Sequence, residues 1–147
     1  MKLVIQRVLK ADVIINKKIY SSIDKGILLL TGFEADDQQL NFDYYIKKIV
    51  NLRIFNDING KMNESLLDTN GSILVVSQFT LLAEVNKGNR PSFIKAAKPD
   101  LAKDLYNKLI KKLKNYEINI EQGRFGAQMF LDFINDGPVT IIMDSKK

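Results

Sequence analysis

Residues 2–15, "KLVIQRVLKADVII", decide how the chain around them reads. Leu3, Ile5 and Val8 recur at the spacing of a half-buried strand, and Val13 and Ile15 resume it after an irregularity near Lys10 and Ala11. Asn16-Lys17-Lys18 then reads as a turn. "IYSSI" (19–23) and "GILLLTGF" (26–33) read as two more strands, so the first third of the chain is an antiparallel meander.

The period changes at "DDQQLNFDYYIKKIVNLRIF" (36–55). Leu40, Tyr44, Ile46 or Lys47, and Val50 follow the three-to-four spacing of a helix, with Asp36 or Asp37 placed to cap its start. Asn59-Gly60 is a hairpin signal. "GSILVVSQFTLLAEV" (71–85) reads as one long apolar strand, and "NKGNRPSF" (86–93) as a loop punctuated by Gly88 and Pro91. A second helix opens at Pro99, with Asp100 in its first turn. Its apolar stripe is Leu101, Leu105, Leu109 and Leu113, widened by Ala102, Tyr106 and Ile110. Three strand-like runs follow, "EINIEQ" (117–122), "AQMFLDFIN" (127–135) and "VTIIMD" (139–144).

The sum is a single α+β domain over residues 1–147, a mainly antiparallel, layered or barrel-like sheet with two packed helices. Helices cover one face of such a sheet. The other face needs a folded-over sheet or a partner subunit.

Composition narrows the chemistry. An apolar share of 46% supports a core, and no apolar run reaches the ~18 residues of a membrane helix. The first residues lack the apolar stretch and cleavage site of a signal peptide, so a cytoplasmic location is expected. The chain has no cysteine and no histidine. Thiol catalysis, Cys-built zinc sites, the Ser-His-Asp triad and the usual base near neutral pH are therefore excluded. Hydrolysis by such a chain has to draw on hydroxyls, backbone groups, carboxylates, lysine or the substrate itself. A net charge of +5 favours an anionic partner, although the lysines of "NKLIKKLKNY" also read as a solvated helix face.

Three stretches are candidate sites. In "VVSQFTL", Ser77, Gln78 and Thr80 either satisfy a strand end or line a cleft, where the N–H groups of Phe79 and Thr80 would point at a ligand oxygen. In "GRFGAQMF", Gly123 and Gly126 flank a bulged turn, or a loop whose Phe125 stacks on a base with Arg124 near phosphate. In "INDGPVTI" (134–141), Gly137-Pro138 taken alone is a surface turn, with Pro138 starting a strand or sitting at a sheet edge.

Read together, "VIQRV" (4–8), "SQFTL" (77–81), "GNRPSF" (88–93), "GRFGAQM" (123–129) and "NDGPVT" (135–140) occur in an order and at a spacing that resemble the D-aminoacyl-tRNA deacylase family, D-tyrosyl-tRNA deacylase type. The resemblance covers essentially the whole chain. It implies a homodimeric hydrolase that cleaves the ester between a D-amino acid and the 3′-terminal adenosine of tRNA, and that also removes mischarged glycine. It implies catalysis at Phe79 and Thr80, and substrate binding by Ser77, Gln78, Phe125 and Met129. It further implies a cis Gly137-Pro138 motif that each subunit inserts into its partner's pocket to reject L-amino acids, with Arg7 holding that motif. No metal, cofactor or membrane is called for, and tRNA is the partner. An unassisted Thr80 hydroxyl is a poor nucleophile, so attack by water is preferred, with the free ribose hydroxyl beside the ester orienting it. Two rival readings are a non-catalytic tRNA-binding homodimeric module, and a purely structural homodimer in which Gly137-Pro138 is an ordinary trans turn.

Overall fold

The computed structural model describes residues 1–86 and 88–146; Lys87, within the 86–93 loop, and Lys147 lie outside the described residues. The strands are β1 (Lys2–Ile15), β2 (Lys18–Ile23), β3 (Gly26–Gly32), β4 (Phe55–Asn56), β5 (Met62–Glu64), β6 (Ser72–Ser77), β7 (Ile120–Gln122) and β8 (Phe130–Asp144), and the helices are α1 (Phe42–Val50) and α2 (Pro99–Leu113). Short 3-10 turns span Ala35–Gln39 and Phe79–Leu82.

The expected meander does not form: β1 and β2 make a hairpin, but β3 pairs with the first half of β1 rather than with β2, running on in β2's direction. Asn16 and Lys17 both take positive φ, 51° and 64°, the twist that suits a two-residue hairpin. β1 is antiparallel to β3 over residues 2–8 and to β2 over 11–15, while β8 accompanies both halves. The sheet is mainly antiparallel, and beyond β3 it adds two parallel pairs, β6 with β3 and β7 with β6. The Ser21 hydroxyl donates to Gln122 O at 3.0 Å, tying β2 to β7 and curling the sheet nearly into a barrel.

Alternation along the strands builds two cores. Leu3, Ile5, Ile27, Leu29, Ile73 and Val75 face outward beneath α1 and α2. Leu28, Leu74 and Val76 face inward, where they meet Val8, Ala11 and Val13. On β1 the inward residues change from even to odd between Val8 and Ala11, where the register with β8 shifts. That shift is the irregularity expected near Lys10 and Ala11. The second layer is thus the sheet folded onto itself, with Leu131 and Phe133 of β8 closing the inner core.

Four local expectations are overturned. Asn41 caps α1, its side chain accepting from Tyr44 N–H; residues 35–39 form a separate 3-10 turn, and Asp37 is buried, accepting from the Met1 ammonium at 2.6 Å and from Glu34 N–H at 2.6 Å. The buried face of α1 is Phe42, Ile46, Ile49 and Val50, with Tyr44 exposed, because Phe42, Ile46 and Ile49 recur at three-to-four spacing on the other side of the helix. The apolar run from Gly71 leaves the sheet at Ser77 and turns into the Phe79–Leu82 3-10 segment. Finally, Gly137-Pro138 is not a turn between two strands. β8 is continuous through it, the peptide bond is cis, and the chain bulges there: Gln6 pairs with Thr140 and Val8 with Asn135, so Asp136–Val139 stand opposite Arg7 alone.

α2 matches its predicted stripe, with Leu105, Tyr106, Leu109, Ile110 and Leu113 buried and Pro99 at its start. Tyr106 ties this helix to the sheet. Its hydroxyl lies 2.8 Å from Val75 O and 3.2 Å from Gly123 O, and Gly123 N–H donates to the same Val75 O at 2.8 Å. Burial pushes the Tyr106 hydroxyl well above the usual phenol range, so it stays a donor. Tyr106→Phe is expected to cost about 1 kcal/mol by removing a buried hydrogen bond, read as a lower urea midpoint at unchanged slope.

Asp12, buried just past the β1 irregularity, accepts from Lys10 at 2.8 Å and from the Ser22 hydroxyl. Those hydrogen bonds, Lys10's first, hold its carboxyl below the usual carboxylate range. Its contribution is full above the unfolded carboxyl value of about 3.9 and is lost as pH falls through the lower folded value. Urea melts of the parent protein and Asp12→Asn are therefore expected to differ near neutral pH and to converge at the acid end.

Candidate functional site

The ends of β3 and β6 lie side by side because the two strands are parallel, with Thr31 opposite Ser77. Gln78 N–H still reaches Thr31 O at 2.7 Å, after which the backbone leaves the ladder. Gly32 makes the departure possible: a Cβ there would come within 2.9 Å of Gln78 O. The 3-10 turn that follows begins with Phe79 and Thr80. The first N–H groups of such a turn have no partner inside it, and the Gln78 side chain does not cap them. Neither N–H donates to any other backbone carbonyl among the described residues. The Gln78 amide bonds instead to the Thr80 hydroxyl.

Ser77, Gln78 and Phe79 border a cleft of about 620 Å³, whereas Thr80, the other expected catalytic residue, is exposed and is not part of its lining. Ser77, Gln78 and Phe79 form one wall, and Phe125 and Met129 stand on the 123–129 segment across from them. Phe125 is half-buried against the Tyr106 ring, 5.8 Å between centroids, so α2 positions it. The expected substrate-binding residues Ser77, Gln78, Phe125 and Met129 thus come together around one space. Arg124 does not join them: its guanidinium stacks on Tyr20 of β2, 4.9 Å from the ring centroid.

Lys98 is the one titratable side chain among the described residues lining the cleft. No carboxylate stands there to act as a base, and no group of three or more potential metal ligands occurs among the described residues. What the cleft offers is the Phe79 N–H, the Thr31 and Ser77 hydroxyls and the Gln78 amide, surrounded by apolar walls, with the Thr80 N–H next in the chain. That inventory suits binding an ester and stabilising charge on its carbonyl oxygen.

Gly137 and Pro138 lie elsewhere on the protomer. Both are exposed and neither lines the cleft. Arg7 is bonded to Asp136, the residue just before them. Its guanidinium is buried, with Nε 2.9 Å from Asp136 Oδ2 and 3.3 Å from Asp136 O, and Nη1 donating to Ile54 O at 2.5 Å and Asn56 Oδ1 at 3.2 Å. Only glycine fits at 137. Its φ is +116°, and a Cβ would lie 2.8 Å from Arg7 Nη2.

Sequence reasoning missed part of the cleft. Thr31, Gly32 and Phe33, and Ala96 and Ala97 before α2, also line it. The signal was present but weak: a Thr-Gly at a strand end becomes informative only once that strand is known to run parallel to β6.

Comparisons with known proteins agree across the whole chain. Residues 4–144 match the profile of the family described as D-Tyr-tRNA(Tyr) deacylase. A protein of Thermosipho africanus (strain TCF52B) named D-aminoacyl-tRNA deacylase is 50% identical over 147 residues, covering 100% of this chain and 99% of its own. A solved structure titled c-Myc DNA Unwinding Element Binding Protein is 42% identical and superposes with a TM-score of 0.92, covering 99% of each chain. Another, titled as a probable eukaryotic D-amino acid tRNA deacylase, shares the fold at a TM-score of 0.83 and 17% identity, covering 97% of each chain. This chain, with its hydroxyl- and amide-lined cleft and its five motifs in order, belongs to the D-Tyr-tRNA(Tyr) deacylase family.

Proposed function

We propose that this protein is an aminoacyl-tRNA editing hydrolase that cleaves the ester of D-aminoacyl-tRNA and of mischarged glycyl-tRNA, releasing free tRNA and the amino acid in the cytoplasm. The observation that carries this reading is the unpartnered N–H of Phe79, in the wall of a cleft lined by no carboxylate, followed directly by the unpartnered N–H of Thr80, in a chain of this family. The ester carbonyl oxygen accepts from those two N–H groups. Each good donor is worth about 3 kcal/mol once the carbonyl carbon becomes tetrahedral. Water is the nucleophile, oriented by the free ribose hydroxyl next to the ester, and Thr80 positions rather than attacks. The bond from the carbonyl carbon to the ribose oxygen breaks, and the amino acid leaves as a carboxylate.

Chirality is enforced across a homodimer in this reading. Gly137 and Pro138 of one protomer enter the partner's cleft and place their carbonyl oxygens where an L side chain would project. A D side chain points away and meets no wall, and glycine has no Cβ to exclude. Two features support the arrangement. The 136–139 bulge is exposed and stiffened from below by Arg7. Apolar residues also stand uncovered beside it, with Ile142 73% exposed next to a hollow that Val4 and Leu81 share.

A non-catalytic nucleic-acid-binding homodimer is the second reading. It is favoured by the net charge of +5 and by the DNA-binding title of the 42%-identical solved structure. Hydrolysis separates the two. Purified protein is expected to deacylate D-aminoacyl-tRNA and spare the L-enantiomer; equal rates on both, or binding without release of amino acid, would overturn the editing reading. Thr80→Ala is expected to retain activity within about tenfold of the parent, since it removes a hydroxyl and leaves the N–H. Complete loss with tRNA binding intact would instead make Thr80 the nucleophile.

A further inference from the structure

The cleft holds the terminal adenosine and its ester, yet the RNA strand has to leave it. Among the described lining residues the exposed ones are Phe79, Phe93, Lys98, Pro99 and Gly126, and these mark the exit. We propose that Phe93 and Lys98 form a landing edge for the unpaired nucleotide that precedes the terminal adenosine, with its base on the Phe93 ring and its phosphate on the Lys98 ammonium. This rests on the editing reading above and extends it to the RNA beyond the scissile ester.

Phe93 is built to present a ring. It sits edge-to-face with Phe79, 5.0 Å between centroids at 71°, and the two remain 37% and 56% exposed. Two backbone hydrogen bonds hold the segment just before it, Glu84 N–H to Ser92 O at 2.8 Å and Ser92 N–H to Glu84 O at 3.0 Å. Ala96 N–H returns to Phe93 O at 3.0 Å, and Ala97 N–H fastens to Phe33 O at 2.8 Å. An exposed aromatic on so well-tied a loop has no core to serve, and a nucleobase is the flat apolar surface that fits it. Charge agrees. Lys98 makes no ion pair among the described residues, whereas nearby Lys95 is 3.5 Å from Glu84. Arg90 is exposed on the same loop, with Asp100 the opposing charge at the start of α2.

The test compares two substrates, a D-aminoacyl-adenosine that ends inside the cleft and a D-aminoacylated minihelix with its unpaired 3′ end. Phe93→Ala is expected to lose about tenfold more kcat/KM on the minihelix than on the adenosine ester, and Phe93→Tyr to recover most of it. Lys98→Gln is expected to reduce the salt dependence of minihelix binding by about 0.7 in log–log slope. Equal losses on both substrates, or none on the minihelix, would overturn the proposal. A binding measurement with an uncharged, labelled CCA-ended single strand separates this proposal from the editing reading. A protein that hydrolyses no D-ester but binds the strand through Phe93 refutes editing and keeps the edge, whereas strand binding indifferent to Phe93 refutes the edge.

Discussion

Strand β1 has to serve three neighbours at once, and a strand can do so only by changing which side chains face which way. Its first half turns Leu3 and Ile5 toward the helices, and its second half turns Ala11 and Val13 into the barrel. The switch costs ladder hydrogen bonds near Leu9 and Lys10, which stand exposed. In return one strand seeds both cores. β8 follows β1 along its whole length, and the ladder between them is interrupted twice: past Val8 the extra residue is Leu9 of β1, and opposite Arg7 the extra residues Asp136–Val139 belong to β8.

Arg7 stabilises that second bulge. A buried guanidinium is unfavourable unless its donors are met. Here they are met by the carboxylate and carbonyl of Asp136, by Ile54 O and by Asn56. Those partners come from β8, from the segment after α1 and from β4, so a single side chain joins three parts of the chain that are distant in sequence. The arrangement rigidifies backbone rather than side chains.

The cleft depends on a different contact, the parallel pairing of β3 and β6. It brings Thr31 and Gly32 beside Ser77 and Gln78 and ends both strands at one level. α2 then backs the opposite wall through Tyr106 and Phe125. Among the described residues the pocket is lined by no carboxylate, Lys98 is its one titratable side chain, and the chain has no histidine.

The sequence by itself determined the local elements whose signals are local. The β1–β2 hairpin turn, the Asn59-Gly60 hairpin turn, the α2 stripe and the β1 irregularity all follow from spacing and turn chemistry within a few residues. It also determined the family, through five short motifs that are weak singly and specific in order. Tertiary structure decided the rest, wherever the controlling partner is remote. Asn41 rather than Asp36 or Asp37 caps α1 because Asp37 is claimed by the Met1 ammonium. The apolar run from Gly71 stops being a strand at Ser77, where β3 stops pairing with it. Asn-Asp-Gly-Pro reads as a turn in isolation and is a bulge inside one strand, because β1 pairs with β8 on both sides of it and Arg7 fills the gap beneath. Periodicity reports which face of an element is apolar; it carries no information about which distant backbone or charge will meet that face.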